Sequence, residues 1–224
     1  MIIESLSRVR ERIGIACEKA GRDYSDVLLI AVSKNHGIAE IREAEQSGQI
    51  HFGENKAQEL RDKFAEIGDS VIWHFIGSLQ SNKVKYVVPA ATFIHSVDSL
   101  KLAEEIAKQA ELKQIKMKCL IEYKTSSETS KAGTADKEEV FRIAEFMQSS
   151  QSISLRGLMT IAPFVEDIAP ARKSFSDLAD LRDEMRRSGF ALPHLSMGMT
   201  NDFELAIEYG ATMIRIGSAI FNNC

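Results

Sequence analysis

The chain alternates between two hydrophobic patterns over nearly its whole length. Short apolar runs rich in β-branched residues are typical of buried parallel strands. Between them, apolar residues recur every three or four positions, which is typical of helices packed on a sheet. Most of these predicted helices end at a glycine or before a proline, where helices usually stop. The predicted strands cover residues 27–32, 50–52, 71–76, 92–95, 117–122, 155–161, 194–197 and 213–216.

Eight strand–helix units in 224 residues are the pattern of a (β/α)8 barrel. A further helix precedes the first strand, because residues 2–16 carry an apolar stripe at helical spacing. The alternative, an open doubly wound sheet, needs fewer strands and usually a glycine-rich first turn, whereas residues 33–37 here read SKNHG. We therefore expect an α/β fold, a single (β/α)8 TIM-type barrel with an extra N-terminal helix, in one domain over residues 1–224.

Composition excludes several classes of protein. A net charge of −4, from 28 basic and 32 acidic residues, disfavours a nucleic-acid binder. The 3 cysteines are odd in number and far apart, so neither a disulfide framework nor a metal site is expected. No apolar stretch approaches the ~20 residues of a helical membrane span, and the charged N-terminal segment differs from a secretory signal. We expect a cytoplasmic protein.

One lysine directly follows the first predicted strand. In a barrel, residues at the carboxyl ends of the strands face a shared site, and Lys34 comes immediately after residues 28–33, LLIAVS. Desolvation at the barrel mouth would lower the pKa of the ammonium, and a neutral amine attacks aldehydes to give a Schiff base. The alternative is that the Lys34 side chain simply points into solvent and has no role at the site.

The last two predicted strands favour the first interpretation. They are the usual phosphate-binding strands of a barrel, and they end in serine hydroxyls, glycines and one arginine: Ser196, Arg215, Gly217 and Ser218. Backbone N–H groups at glycines and helix starts bind anions. A phosphate site beside a strand-end lysine indicates a phosphorylated aldehyde, most commonly pyridoxal 5'-phosphate (PLP). An aldolase-type lysine acting on a sugar phosphate is the alternative.

Seven short runs of residues together resemble the sequence pattern of a known protein family. They are AVSK (31–34), FGEN (52–55), WHFIGSLQSNK (73–83), IHSVD (94–98), GLMTI (157–161), LSMGM (195–199) and RIG (215–217). Together, and in this order, they resemble the pyridoxal-phosphate homeostasis protein family. Those are one-domain proteins similar to the barrel domain of alanine racemase. The resemblance implies that the chain binds PLP.

The resemblance also implies a role for each matching residue. Lys34 would hold PLP as a Schiff base, and Arg215 would face the pyridine nitrogen. The other matches are Ser196, Gly217 and Ser218 as phosphate contacts, Asn55 and Met199 lining the ring pocket, and Lys131 near the cofactor face. The sequence departs from the family pattern at Ser78, at residues 122–124, at Thr200 and at Asn222. These departures affect the details of the pocket lining more than cofactor binding.

Carrier and enzyme remain alternative hypotheses. Racemisation requires two positioned bases, and in alanine racemase-like enzymes a tyrosine from a further domain of a partner subunit is the second. Only 6 residues follow Ser218, and Tyr123 is the one tyrosine expected near the mouth. We therefore predict a monomeric, non-catalytic protein that buffers or delivers PLP, with PLP-dependent apo-enzymes as candidate recipients. An amino-acid racemase-like enzyme is the alternative.

Overall fold

The computed structural model describes residues 1–125, 133–163 and 167–221. Eight parallel strands form a closed barrel in chain order, and the last strand pairs with the first. This confirms the predicted barrel. The strands are β1 (Leu28–Val32), β2 (His51–Glu54), β3 (Ile72–Phe75), β4 (Phe93–Val97), β5 (Met117–Glu122), β6 (Ile153–Met159), β7 (His194–Ser196) and β8 (Met213–Ile216).

Helices surround the barrel, and α1 (Ile2–Lys19) precedes β1, as predicted. The others are α2 (Ile38–Gln46), α3 (Ala57–Ile67), α4 (Val84–Val87), α5 (Leu100–Leu112), α6 (Lys137–Ser149), α7 (Ala169–Arg187), α8 (Phe203–Glu208) and α9 (Ser218–Phe221). The sequence also predicts a helix over 81–88, before Pro89; the structure has a 3₁₀ turn, Ser81–Lys83, followed by the short α4. The sequence further predicts that Thr200 caps a short helix through Glu208. Helix α8 instead begins at Phe203, and the Asp202 carboxylate just before it accepts a hydrogen bond from the Met199 N–H.

The main hydrophobic core lies between the barrel and its helices. The outward side chains of the strands meet the apolar faces of the helices there. Helix α1 contributes a stripe of buried residues to this core and packs against α2, α8 and α9. Since α2 follows the first strand and α9 the last, α1 covers the seam at which β1 and β8 close the barrel.

The barrel interior is only partly apolar. A small cluster fills part of it: Ile30, Phe93, Leu120, Met159 and Met213. Other inward positions carry buried polar side chains, among them His74, His95, Ser196 and Arg215. Buried polar groups are costly unless they are hydrogen-bonded. These residues therefore indicate a part of the barrel interior that has a role beyond core packing.

Residues 1–125, 133–163 and 167–221 contain no helix that is long and apolar enough to cross a membrane. No group of three or more His, Cys, Asp or Glu side chains among the described residues could hold a metal ion. Cys17 and Cys119 are buried free thiols, and Cys224 lies outside the described residues.

Candidate functional site

Lys34 lies at the carboxyl end of β1, just beyond the strand. Leu28 and Ile30 belong to the apolar cluster inside the barrel, and side chains two residues apart along a strand point to the same side. The interior of the barrel opens at this end, and Lys34 lies in the turn that follows β1. The Lys34 side chain is exposed there, so its amine is accessible to a ligand.

A buried ion cluster on the outer side of the sheet fixes the backbone next to Lys34. Ser33 Oγ donates a 2.6 Å hydrogen bond to Glu54 Oε1. Lys63 of α3, which is buried, donates to the Ser33 carbonyl at 2.7 Å, to Glu54 Oε1 at 2.7 Å and to Glu59 Oε1 at 2.8 Å. Desolvation raises the pKa of Glu54, although Lys63 and Ser33 oppose this shift.

The residue after Lys34 is held by the same cluster. Asn35 has a left-handed backbone with φ of 65°, which is uncommon for any residue except glycine. Its N–H donates to Glu59 Oε1 at 2.6 Å, and its side-chain oxygen accepts from Lys56 Nζ at 3.1 Å. The turn that carries Lys34 is therefore anchored on both sides.

Asn55 follows β2 at the same end of the barrel. Its side-chain Oδ1 atom is buried and has no hydrogen-bond partner among the described residues. Gly77, after β3, packs directly on the Asn55 backbone, where any side-chain carbon would overlap it. An unpaired buried amide oxygen is costly, and it is a feature expected of a site that a ligand completes.

Arg215 is the buried cation of the site, on the inward face of β8. Its guanidinium donates to Ser196 Oγ at 2.6 Å and to the Thr160 carbonyl at 2.9 Å. Desolvation lowers its pKa to about 10, while Glu122 and Asp202 act in the opposite direction. Arg215 therefore stays charged at neutral pH.

Glu122 is the acidic neighbour of this cation. It ends β5, two residues beyond the inward Leu120, and is buried. Desolvation raises the pKa of Glu122 to about 7; Asp98 adds to the shift, and Arg215 opposes it. The site thus includes a carboxyl group that titrates near neutrality, at a position where the sequence departs from the family pattern.

The expected phosphate-binding residues separate into two places. Ser218 Oγ donates to Thr200 Oγ1 at 3.0 Å, and Ser218 is exposed at the start of α9 with Gly217 just before it. Ser196, in contrast, is fully buried, and its hydroxyl lies between Arg215 and His95. The accessible hydroxyl pair therefore consists of Ser218 and Thr200, and Thr200 was noted in the sequence only as a departure.

The turn after β7 brings the remaining predicted residue to this rim. Gly198 has φ of 92°, and a side-chain carbon there would lie 2.6 Å from the Ala206 Cβ and 2.9 Å from the Phe203 Cα. Only glycine fits such a position. Met199, next in the chain, is half-buried, and its N–H donates to Asp202 Oδ1 at 2.6 Å.

Three histidines beneath the site are the residues that sequence reasoning did not connect. His51, His74 and His95 lie on β2, β3 and β4, and adjacent rings contact each other at 2.9 Å. His95 continues the chain to Ser196 Oγ, also at 2.9 Å. The sequence alone predicts ordinary core histidines at His74 and His95 and a surface position for His51; the structure confirms that His74 and His95 are buried. A histidine on each of three consecutive strands was the available indication.

Not every predicted residue reaches the described part of the site. Ser78 is exposed after β3. Tyr123 is half-buried and packs against the core outside the barrel. Lys131 and Asn222 lie outside the described residues, and so their roles stay predictions.

Comparison with known proteins gives consistent matches over the full chain. Residues 5–223 match the family model described as "Alanine racemase, N-terminal domain". The chain is 44% identical over 220 residues to the pyridoxal phosphate homeostasis protein of Aquifex aeolicus, covering 97% of this chain and 96% of that one. It is 38% identical over 225 residues to the protein of the same name from Vibrio cholerae, with 98% and 95% covered.

Solved structures agree with these matches. PipY of Synechococcus elongatus, in a structure with PLP bound, aligns with a TM-score of 0.85 at 35% identity, covering 99% of this chain and 100% of PipY. An alanine racemase from Clostridium difficile aligns with a TM-score of 0.76 at 14% identity. That alignment covers 96% of this chain and 56% of the racemase, and it supports the fold alone.

Proposed function

Because the chain belongs to the family of pyridoxal phosphate homeostasis proteins, we propose that it binds PLP at the carboxyl end of the barrel and buffers or delivers it. The observation that carries this proposal is the joint placement of Lys34 and Arg215. An accessible amine follows β1, and a buried cation lies on β8, which is the neighbouring strand in the closed barrel. The proposal also assigns residues 1–224 to one domain.

The groups at the site fit PLP. Lys34 would provide the amine for covalent attachment, and the Thr200–Ser218 hydroxyl pair with Gly217 would provide donors for the phosphate. Asn55 offers a buried oxygen that has no partner among the described residues and would accept a hydrogen bond from the ligand. Met199 would line the ring. Ser196 stays a prediction as a phosphate contact, and its two hydrogen bonds support a different role, orienting Arg215.

Bound PLP supplies an aldehyde carbon and an electron-withdrawing ring. Arg215 would hold its guanidinium toward the ring nitrogen and, as a permanent cation, would disfavour protonation there. Its hydrogen bonds to Ser196 and Thr160 keep it in place. A ring kept unprotonated is a weaker electron sink, which favours holding the cofactor over carbanion chemistry.

The same arrangement supports a non-catalytic role. Racemisation needs a second base on the opposite face of the substrate, and Tyr123, the expected candidate, packs outside the barrel instead. We therefore propose a monomeric cytoplasmic carrier rather than a racemase-like enzyme. PLP-dependent apo-enzymes would be its recipients.

The decisive experiment is an absorbance spectrum of the protein purified without added PLP, followed by borohydride reduction and peptide mapping. We expect a visible absorbance band and a reduced adduct on Lys34. Lys34→Ala should lose both and remain folded, whereas Lys85→Ala, which removes an exposed lysine on α4, should keep both. A protein that neither carries nor takes up PLP would return the aldolase-type interpretation to first place.

A further inference from the structure

A continuous line of hydrogen bonds crosses the interior of the barrel. It connects, in order, His51 Nδ1 to His74 Nε2 at 2.9 Å, His74 Nδ1 to His95 Nε2 at 2.9 Å, and His95 Nδ1 to Ser196 Oγ at 2.9 Å. Arg215 then donates to the same Ser196 oxygen at 2.6 Å. We call His51, His74 and His95 the histidine column. It runs from the half-buried His51 to the fully buried cation of the site.

The direction of donation along this line follows from the fixed roles of its last members. An arginine can only donate, so Ser196 Oγ accepts from Arg215. If His95 also donated to Ser196, the serine hydrogen would have no acceptor among the described residues, and an unmade buried hydrogen bond costs about 1–3 kcal/mol. Ser196 therefore donates to His95 Nδ1.

The remaining tautomers follow one from another. Burial holds the pKa of both His74 and His95 well below the ordinary value, so both rings are neutral and each carries one proton. His95, accepting at Nδ1, has its hydrogen on Nε2 and donates to His74 Nδ1. By the same reasoning His74 donates from Nε2 to His51 Nδ1. Burial lowers the pKa of His51 to about 4, with Lys118 adding to the effect.

The rings are also fixed in orientation. His74 stacks on Phe93 with ring centroids 4.7 Å apart and planes 8° apart, and His95 meets the same ring edge-on at 6.1 Å. Rotation of either imidazole would break a hydrogen bond on each side of it and disturb this packing. In the histidine column, the ring orientation and the position of the hydrogen on each imidazole are therefore fixed by the neighbouring residue.

We propose that the histidine column is a positioning device for Arg215. It keeps the Ser196 hydrogen engaged, so that the serine presents its lone pairs to the guanidinium and fixes the orientation in which Arg215 meets the ligand. This inference rests on the proposed function, because it concerns the cation that would face the PLP ring. None of the three histidines is proposed to touch the ligand.

The first test is independent of PLP. In ¹⁵N-labelled protein without cofactor, two-bond nitrogen–proton couplings report which ring nitrogen carries the hydrogen. We expect His51, His74 and His95 all to be neutral Nε2–H tautomers at pH 7. An Nδ1–H tautomer at His74 or His95 would overturn the proposal, whether or not the protein binds PLP.

The second test uses three variants, with PLP affinity measured by absorbance titration and folding by thermal unfolding. His95→Leu removes the acceptor for Ser196 and should weaken PLP binding about tenfold, the equivalent of one hydrogen bond. His95→Gln keeps an acceptor and a donor and should recover most of the affinity. His194→Leu is the matched control, since His194 also points into the barrel, from β7, but bonds to Thr212 at 3.3 Å instead of to the column.

The outcomes separate the two proposals. If wild-type protein fails to bind PLP, the proposed function is wrong. The tautomer measurement then still tests the hydrogen-bond directions of the histidine column. Wild-type affinity in folded His95→Leu would overturn the positioning role, and so would equal weakening in His194→Leu. If His95→Leu does not fold, the couplings in wild-type protein decide, because an Nδ1–H tautomer at His74 or His95 overturns the proposal.

Discussion

Lys63 shows how a single buried side chain can organise a site it does not enter. Its ammonium is buried and contacts two carboxylates and the Ser33 carbonyl. Lys63→Met would leave Glu54 buried without its cation, which typically costs about 3–5 kcal/mol. Urea unfolding should show this loss. Lys137→Met, which removes an exposed ion pair with Glu184, should cost under about 1 kcal/mol. Equal costs would contradict the importance of the buried cluster.

Glu122 makes stability depend on pH in a defined direction. Its pKa is about 7 in the folded protein against an ordinary value of 4.5, so the native state binds the proton more tightly. The resulting stability is complete below the ordinary value and is lost as the pH rises through about 7. The cost of ionising this group in the native state reaches about 3 kcal/mol at high pH, at ~1.4 kcal/mol per pKa unit.

Glu122→Gln tests this by removing the titration while keeping a polar side chain of the same size. We expect the variant to be more stable than wild type at pH 8, by up to about 3 kcal/mol, with no gain at pH 4. Urea unfolding of both proteins across this range measures the difference. Half-buried histidines destabilise both proteins alike at low pH and cancel in the comparison. A constant difference at all pH values would contradict the pKa shift.

Some residues of the candidate site could be placed from the sequence, and others could not. The placement of Lys34 and Arg215 at one end of the barrel could be predicted, because Lys34 follows one recognisable strand and Arg215 lies on another. Their roles toward a ligand stay predictions. The Lys63 cluster and the histidine column could not be predicted, since they depend on which atoms of neighbouring strands and helices come within hydrogen-bond distance. For the same reason the buried position of Ser196 and the Thr200–Ser218 pair emerge only from the structure.

Helix α1 offers a matched pair of residues for testing how the barrel is closed. Ile13 is fully buried in the core, whereas Ile15 on the same helix is 46% exposed. Ile13→Ala should destabilise the protein by about 2–5 kcal/mol through lost burial and a cavity. Ile15→Ala should change stability by no more than about 0.5 kcal/mol. Chemical unfolding measures both, and similar values would show that α1 contributes little to the core.

Secondary-structure elements were predicted well where hydrophobic periodicity is strong. β5 and β8 have the predicted bounds, 117–122 and 213–216. Other strand bounds differ by a few residues; β6, for example, was predicted over 155–161 and covers Ile153–Met159. The larger errors occur at short helices near the site. Between β3 and β4, a 3₁₀ turn replaces the first part of the predicted helix, and α8 begins later than Thr200 because the Asp202 side chain closes the preceding turn. Periodicity carries little information over four to six residues, where local hydrogen bonds decide the conformation.

The proposed carrier role has a direct consequence for catalysis. We expect the PLP-loaded protein to racemise alanine no faster than an equal concentration of free PLP, because Tyr123, the expected second base, packs outside the barrel. Chirally resolved chromatography of the amino acid after incubation measures this. Racemisation well above the free-cofactor rate that disappears in Lys34→Ala would favour the racemase-like alternative.

The site is complete only after β1 and β8 have paired during folding. The amine follows the first strand and the cation belongs to the last, so a nascent chain holds Lys34 long before Arg215 leaves the ribosome. Pairing between strands so far apart in sequence requires the closure of a long loop, which makes it slow to form. An incomplete chain offers only a solvated lysine without the hydroxyl pair or the buried guanidinium. In the proposed function, PLP would therefore be captured only by chains whose synthesis and barrel closure are complete.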